Sequence, residues 1–303
     1  MIVNGANLRT LGISYNALYQ QGLGQAPSYY KKVSTPVSST TGSNEYGWLG
    51  KLPNVREWLG DRQVQNMSTY GYTIKNRDFE LTIGVDRNDI EDDNLGLYGP
   101  LFQEMGYSAM AHNDSLTFGL LSAGFATPCF DGQPYFSLEH PITDANGEPT
   151  VYANCPETAG GGGNPPWFLM ASGRPLKPLI WQDRKSFEFV ARDHPNDDNV
   201  FSRKEFEYGI DGRHNVGFGF PQFCWGSTDA LTPANYGLAR TAIMEMKGDY
   251  GRPLGLIPDL LVYSPTNENA ALAILNAEFL PGGAGGSNIY WKTATPLNVP
   301  WLG

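Results

Sequence analysis

The sequence predicts an α+β fold of one large or two moderate domains, and three observations carry that expectation. In "RDFELTIGVDR", Phe79, Leu81, Ile83 and Val85 alternate with Asp78, Glu80, Thr82, Gly84 and Asp86, the period of two of a half-buried strand. Between residues 98 and 120, Tyr98, Leu101, Phe102, Met105, Ala109, His112, Leu116 and Leu120 recur at helical spacing. The last quarter reads helix, strand, helix behind a region rich in aromatic and β-branched runs, with no internal repeat.

At 303 residues the chain is long enough to bury a substantial core. Its 36 Gly, 22 Pro, 7 Trp, 16 Tyr and 15 Phe, against 17% charged residues, point to a loop-rich chain with many stacking rings. A helix bundle is not expected from such a composition.

Residues 1–45, with stretches such as "KKVSTPVSSTTGSNEYG", are polar and short of apolar periodicity. They read as an extended arm, disordered or laid along a partner surface, because such a segment buries too little apolar area to fold by itself. Residues 45–62, "EYGWLGKLPNVREWLGDR", then combine two tryptophans with paired charges outside any clear helix or strand. Next, "RQVQNMSTYGYTI" and the alternating run after it, separated by the polar "KNR", predict a long hairpin whose tip carries Lys75 and Arg77.

From Asp89 to Gly124 the acids at the start, Pro100 near the first turn and the terminal glycine predict one long helix with one buried face. Residues 125–165 end in "ETAGGGGNPP" and read as a flexible connector. Strands of a mixed sheet are expected in "WFLMASGRPLKPLIWQDRKSFEFVARD" and "FEYGIDGRHNVGFGFPQFCWGS". Thr232 can cap a helix with Pro233 at its first position, Tyr236, Ala239, Ile243 and Met246 on one face, and Gly248 after it. The strand "LGLIPDLLVY", the helix "TNENAALAILNAEF", a glycine-rich loop and a final extended segment complete the chain.

The net charge of -10 disfavours tight binding to nucleic acid, which draws on clustered Lys and Arg. Cys129, Cys155 and Cys224 form no CxxC pair and leave an odd count, as buried or idle thiols made in a reducing cytoplasm would. No signal peptide or bilayer-spanning stretch is visible. The four histidines, His112, His140, His194 and His214, belong to no HExxH motif or helix-face pair, so no metal is expected. His112 reads as a core or interface histidine. "DHPNDDN" lacks the spacing of an EF-hand and reads as a solvated acidic turn. Neither "AGGGGNPP" nor "GFGF" has the context of a phosphate cradle, and no nucleophile elbow appears. One enzymatic reading stays open: carboxylates such as Glu104 and Asp131, with aromatics to stack on sugar rings, would suit a carbohydrate-active or carbohydrate-binding protein.

"YGWLGKLPNVREWLGDR", followed by "YTIKNRDFELTIGVDRNDIEDDNLGLYGPLFQEMG" and "CFDGQPYFSLEHP", resembles the Mu-like prophage major head subunit family, tailed-phage capsid proteins of the Hong Kong 97-like fold. The resemblance continues in "RPLKPLIWQDR", "FEYGIDGRHNVGFGFPQF" and "GDYGRPLGLIPDLLV", in the family's order, and so covers nearly the whole chain.

That resemblance implies residues 1–45 as an N-terminal arm over neighbouring subunits and 46–90 as linker and extended-loop β-hairpin, the hairpin from about 56 to 88. It implies 91–230 as a peripheral domain with a spine helix and long strands, the connector 125–165 within it. Residues 231–303 become the axial domain around each capsomer centre. The implied protein is a major capsid protein without catalysis or cofactor. It self-assembles into pentamers and hexamers of an icosahedral head in the host cytoplasm and encloses packaged double-stranded DNA without sequence-specific binding. Partners would be other copies of itself, a separate scaffolding protein, a portal and decoration proteins, with no membrane. The scaffold is expected to be separate because family-like sequence begins within the first twenty residues.

For such a shell, Trp48 and Trp58 are natural interface anchors, while Arg56, Glu57, Asp61 and Arg62 alternate in sign and suit charge pairing that sets register between subunits. The competing reading is a turn inside one subunit, with the tryptophans in its own core. Lys75 and Arg77 complete the expected contact set, and Lys75 is the residue to name for a loop crosslink, against the plainer reading of a solvated lysine.

Overall fold

The computed structural model describes residues 2–50, 52, 71–92, 95–279 and 286–302. Helix α1 (Gly5–Gln25) starts at Asn4, whose side chain accepts from the backbone N–H of Ala6 and Asn7, a cap for otherwise unpaired donors. Its buried residues, Leu8, Leu11, Tyr15, Tyr19 and Gly22, step by three and four. This is an amphipathic stripe, and it corrects the expectation of a polar, extended segment here. The stripe escapes notice because two tyrosines and a glycine count as polar or breaking in a composition average.

A short helix α2 (Tyr30–Val33) leads into β1 (Ser34–Ser38) and β2 (Ser43–Glu45). Strand β3 (Thr73–Lys75) pairs antiparallel with β2, whereas β4 (Arg77–Asp86) pairs with residues 205–214 far along the chain. The expected hairpin with its tip at "KNR" is therefore corrected. Asn76 between the two strands is 4% exposed, and its Nδ2 donates to Ser39 Oγ (2.9 Å) and to the Thr41 carbonyl (2.8 Å). A polar residue with its hydrogen bonds filled can turn the chain inside the protein. Most of the hairpin's first limb lies outside the described residues. The alternation is present in part: Val85 is buried and Phe79 and Ile83 half-buried, with Glu80, Thr82 and Gly84 exposed, but Leu81, expected to face inward, is 37% exposed.

Asp86 caps α3 (Arg87–Glu91), and α4 (Gly99–Ser122) follows as a separate helix with Pro100 in its first turn, so the single long helix expected from Asp89 to Gly124 is corrected. Phe102, Met105 and Ala109 face the core as predicted, but the buried line continues through Asp114, Thr117, Phe118 and Leu121, and Leu101 is 50% exposed. The line turns because α4 meets two different layers. Its first half packs on α1, and its second half reaches the aromatic core and the C-terminal turn Pro300–Leu302. Where α1 and α4 cross, an ideal Cβ on Gly106 would lie 2.1 Å from Tyr19 O, and one on Gly22 would lie 1.9 Å from Gln103 O. Only glycines permit that approach.

Residues 125–165 are not a flexible connector. They hold Tyr135 and Phe136 at 0% and 1% exposure, bury Cys129 and Cys155, and form a hairpin of β5 (His140–Thr143) and β6 (Pro149–Tyr152). Glycines and prolines there shape turns around anchored rings.

The remaining elements are β7 (Trp167–Met170), β8 (Leu179–Arg192), α5 (Asp198–Arg203), β9 (Glu205–Phe218), β10 (Cys224–Ser227), α6 (Pro233–Met244), β11 (Lys247–Gly248), β12 (Arg252–Pro253), β13 (Leu260–Tyr263), α7 (Glu268–Leu275) and β14 (Thr295–Asn298). The strands fall where the aromatic and β-branched runs predicted them. Thr232 caps α6 by accepting from the Asn235 N–H at 3.2 Å, and Tyr236, Ala239 and Ile243 are its buried face, as expected.

One sheet has the order β1-β8-β9-β4, with β1 parallel to β8 and the other pairs antiparallel. The second has the order β10-β7-β13-β14, with β13 and β14 parallel. Every residue of β7 and β13 is buried, because helices or aromatic loops cover both faces, and a continuous apolar run is the signature of such a strand. Trp167, Leu169, Leu261 and Tyr263 join α6 and α7 in one core. Phe168, Met170, Leu260 and Val262 join Tyr135, Phe136 and the end of α4 in a second. The third lies between α1, α4 and the far half of the long sheet.

Candidate assembly surfaces and buried titratable clusters

Of the eight residues named from sequence as contacts, the structure describes three. Trp48 is half-buried on its own subunit, its ring centroid 5.9 Å from Tyr46 and 5.8 Å from Phe220. Tyr46 beneath it donates to Gln182 Oε1 at 2.7 Å, which fixes this turn on β8. Lys75 is exposed at the end of β3, and exposed Arg77 lies over the Phe79 ring at 5.3 Å. Arg56, Glu57, Trp58, Asp61 and Arg62 lie outside the described residues.

Sequence reasoning missed the barest large apolar side chain among the described residues. Phe201 is 92% exposed on α5, the short helix that joins the two 14-residue strands β8 and β9. Asp197 stands at its N-cap and Lys204 ends it at φ 59°. The available signal was one aromatic inside the charged "NDDNVFSRKE". On α6, Leu238 is 67% exposed and Met244 48%. A contiguous apolar patch left in water marks a surface that a partner covers, whereas single exposed side chains are ordinary. Beside Phe201, Arg203 pairs with Glu207 at 2.6 Å, and farther along the strands Lys185 pairs with Asp211 at 2.6 Å. Such exposed pairs add little stability. The acidic turn "DHPNDDN" precedes α5, with Asp197 accepting from the His194 N–H at 3.1 Å.

His112 and His214 meet between α4 and the long sheet, ring centroids 5.5 Å apart. Phe79 stacks on His214 at 4.9 Å and lies 4.3 Å from His112. Both Nε2 atoms are buried without a hydrogen-bond partner among the described residues. Burial first, and the neighbouring His112 second, push His214 down to about 4. Burial and Arg77 lower His112 likewise. Asp114 on α4 accepts from the backbone N–H groups of Tyr29 and Tyr30, closest at 2.7 Å, and so pins α2.

The fold also gathers Cys129, Asp131 and His140, with donor atoms all within 4.8 Å of one another. His140 Nδ1 lies 2.7 Å from Asp131 Oδ2 and its Nε2 3.2 Å from the Tyr135 carbonyl, while the Cys129 thiol donates to Asp131 Oδ1 at 3.1 Å. Burial and the adjacent carboxylate push the thiol up. Burial opposes ionisation of Asp131, but hydrogen bonds from His140 and Cys129 hold its carboxyl below the usual range. Asp131 is thus committed to a buried cluster, and Glu104 is exposed on α4. The carbohydrate reading finds no support in them.

Comparison with known proteins follows the same lines. The family model described as Mu-like prophage major head subunit gpT matches residues 8–302. The chain is 42% identical over 286 residues to the major capsid protein of Escherichia phage Mu, covering 93% of each chain. It is 37% identical over 274 residues to the Mu-like prophage FluMu major head subunit of Haemophilus influenzae, covering 89% of each. Among solved structures, the procapsid of bacteriophage JBD30 matches 99% of this chain and 100% of its own at a TM-score of 0.85 and 40% identity. The JBD30 capsid decorated with minor capsid protein trimers matches 94% of each chain at a TM-score of 0.75 and 34% identity.

Proposed function

The chain belongs to the Mu-like prophage major head subunit gpT family, and from that premise we propose how this major capsid protein builds its head. It has the Hong Kong 97-like fold and forms the shell of a phage virion. The observation that carries the rest is the match of fold and sequence over 99% of the chain to a procapsid subunit.

In our reading, copies of the chain close as pentamers and hexamers. Residues 91–230, with α4 as spine helix, act as the peripheral domain and 231–303 as the axial domain. Residues 46–90 hold the linker and the reaching loop, the loop itself falling between β2 and β3, where Arg56, Glu57, Trp58, Asp61 and Arg62 set register with a neighbour and Trp48 joins that contact through the exposed part of its indole. Lys75 and Arg77 lie at the foot of the loop as solvated charges. Phe201 at the β8–β9 tip and Leu238 on α6 are further buried contacts. Obligate interfaces of this kind bury about 2,000 Å² or more, with apolar centres.

The subunit works as a structural protein without catalysis. In this reading a separate scaffolding protein guides its assembly. A portal and decoration proteins complete the head; the JBD30 capsid carries minor capsid protein trimers. The net charge of -10 suits a wall that holds packed DNA without gripping it. Expression with and without the neighbouring scaffold gene tests this reading. Uniform closed shells only with the scaffold are expected, and a density map with an acidic inner wall. Uniform shells from this chain alone would refute the scaffold assignment, and a strongly basic inner wall would refute the charge argument.

A further inference from the structure

We propose that Cys129, Asp131 and His140 form a structural site for a divalent transition metal, zinc above all. No metal motif spaces these residues in the sequence. The turn between Pro128 and Pro134, closed by the Cys129 N–H on the Gln133 carbonyl at 2.8 Å, carries the first two, and β5 begins with the third.

The donor set selects the metal. One thiol, one imidazole and one carboxylate suit zinc and its neighbours, whereas calcium and magnesium demand oxygen alone. His140 and Asp131 side chains are 0% and 3% exposed, and Cys129 is 6% exposed. Around one tetrahedral zinc, with bonds of about 2.0–2.3 Å, the donors stand roughly 3.3–3.6 Å apart. The 2.7 Å and 3.1 Å contacts, made to different oxygens of Asp131, would open by roughly 0.4–0.6 Å, and the Cys129–His140 donor separation, within 4.8 Å, would close toward the same range.

Both nitrogens of His140 face oxygens, Nδ1 that of Asp131 and Nε2 the Tyr135 carbonyl. With Nδ1 on a metal, the contact from Nε2 to the Tyr135 carbonyl remains and orients the ring, as outer hydrogen bonds do for metal-bound histidines. Asp131 Oδ1 is already aimed by the Gln133 N–H at 3.0 Å.

A second observation points the same way. Tyr152 stacks on His140 at 5.0 Å, and its buried hydroxyl has no hydrogen-bond partner among the described residues. A water in the fourth position of the metal, or the hydroxyl itself, would end that deficit. Tyr152 also lines a surface cleft of about 500 Å³ with Ile142, Met246 and Lys247.

The test adds Co2+ and Zn2+ to the purified full-length protein and to its Cys129→Ser and Cys155→Ser variants. Cys155 is a buried thiol elsewhere in the core, so it controls for thiol loss alone. Expected for wild type and Cys155→Ser are one ion per chain and a sulfur-to-cobalt charge-transfer band. Cys129→Ser should lose the band and most of the uptake. Wild-type protein that takes up no metal in excess zinc, or a cobalt spectrum without the sulfur band, would overturn the proposal. So would equal uptake by Cys129→Ser. Should that variant fail to fold by circular dichroism, the wild-type band and the ion count per chain still decide.

Discussion

Replacing Gly106 by alanine measures how tightly α1 is seated on α4. The added Cβ would stand 2.1 Å from Tyr19 O, 2.7 Å from Leu23 N and 3.1 Å from Gly22 C. All three are backbone atoms, so no side-chain rotation relieves the contact and α1 must move by about 1 Å. Overpacking of this kind costs about 1–3 kcal/mol, occasionally more. Against it stands the helix-propensity gain of Gly→Ala, about 0.8–1 kcal/mol. Gly119 on the same helix is exposed with nothing within 4 Å of its Cβ position, so Gly119→Ala keeps the gain without the clash. The difference between the two variants therefore isolates the packing cost. Urea unfolding of the unassembled subunit should show Gly119→Ala stabilised by about 0.5–1 kcal/mol. Gly106→Ala should fall about 1–3 kcal/mol below it, with faster hydrogen exchange along residues 8–22. Equal midpoints for the two variants would refute the close seating of α1.

The His112–His214 pair predicts acid sensitivity. The unfolded His214 ring protonates near 6.5 and the folded one only near 4, so between those values the unfolded chain binds more protons. Stability should be flat above about pH 6.5 and fall as pH drops toward 4, by about 1.4 kcal/mol per unit for one proton. Unfolding midpoints from pH 7 to 4.5 should lose that slope in His214→Phe; an unchanged slope would contradict it. Asn76→Ala removes bonds to Ser39, Thr41 and Gln182, and denaturant unfolding should show a loss of about 1–3 kcal/mol. Phe201→Ser removes a side chain that touches water, so subunit stability should hold within about 0.5 kcal/mol. Particle yield in sucrose gradients should fall, and wild-type yield would remove Phe201 from the interface.

Much of the fold is legible where local chemistry and packing agree. Helix α6 announces itself by Thr232, Pro233 and the spacing of Tyr236, Ala239 and Ile243, and β7 by four consecutive apolar residues. Helix α1 is harder to see, because Tyr15, Tyr19 and Gly22 bury a face that an average hydropathy does not register. Residues 125–165 mislead for a related reason: glycine and proline mark turns, but Tyr135 and Phe136 decide whether those turns pack. At "KNR" the polar residue in the middle is the buried one, since Asn76 finds three partners that are distant in sequence. Tertiary pairing also decided β4, which joined β9 rather than its neighbour in the chain. The contact residues were legible only as chemistry. Trp48 faces partly inward, whereas Phe201 needed the long β8–β9 ribbon on the page before its exposure had meaning. Cys129, Asp131 and His140 form no motif, and only the turn from Pro128 to Pro134 brings them together.

Copies of this chain form the shell of a phage head. Velocity sedimentation with electron microscopy of the chain co-expressed with its neighbouring scaffold gene tests it most directly. Closed particles of megadalton mass, with five-fold and six-fold capsomers, are the predicted result. A species that remains near the 33.3 kDa chain mass with the scaffold present would contradict the account.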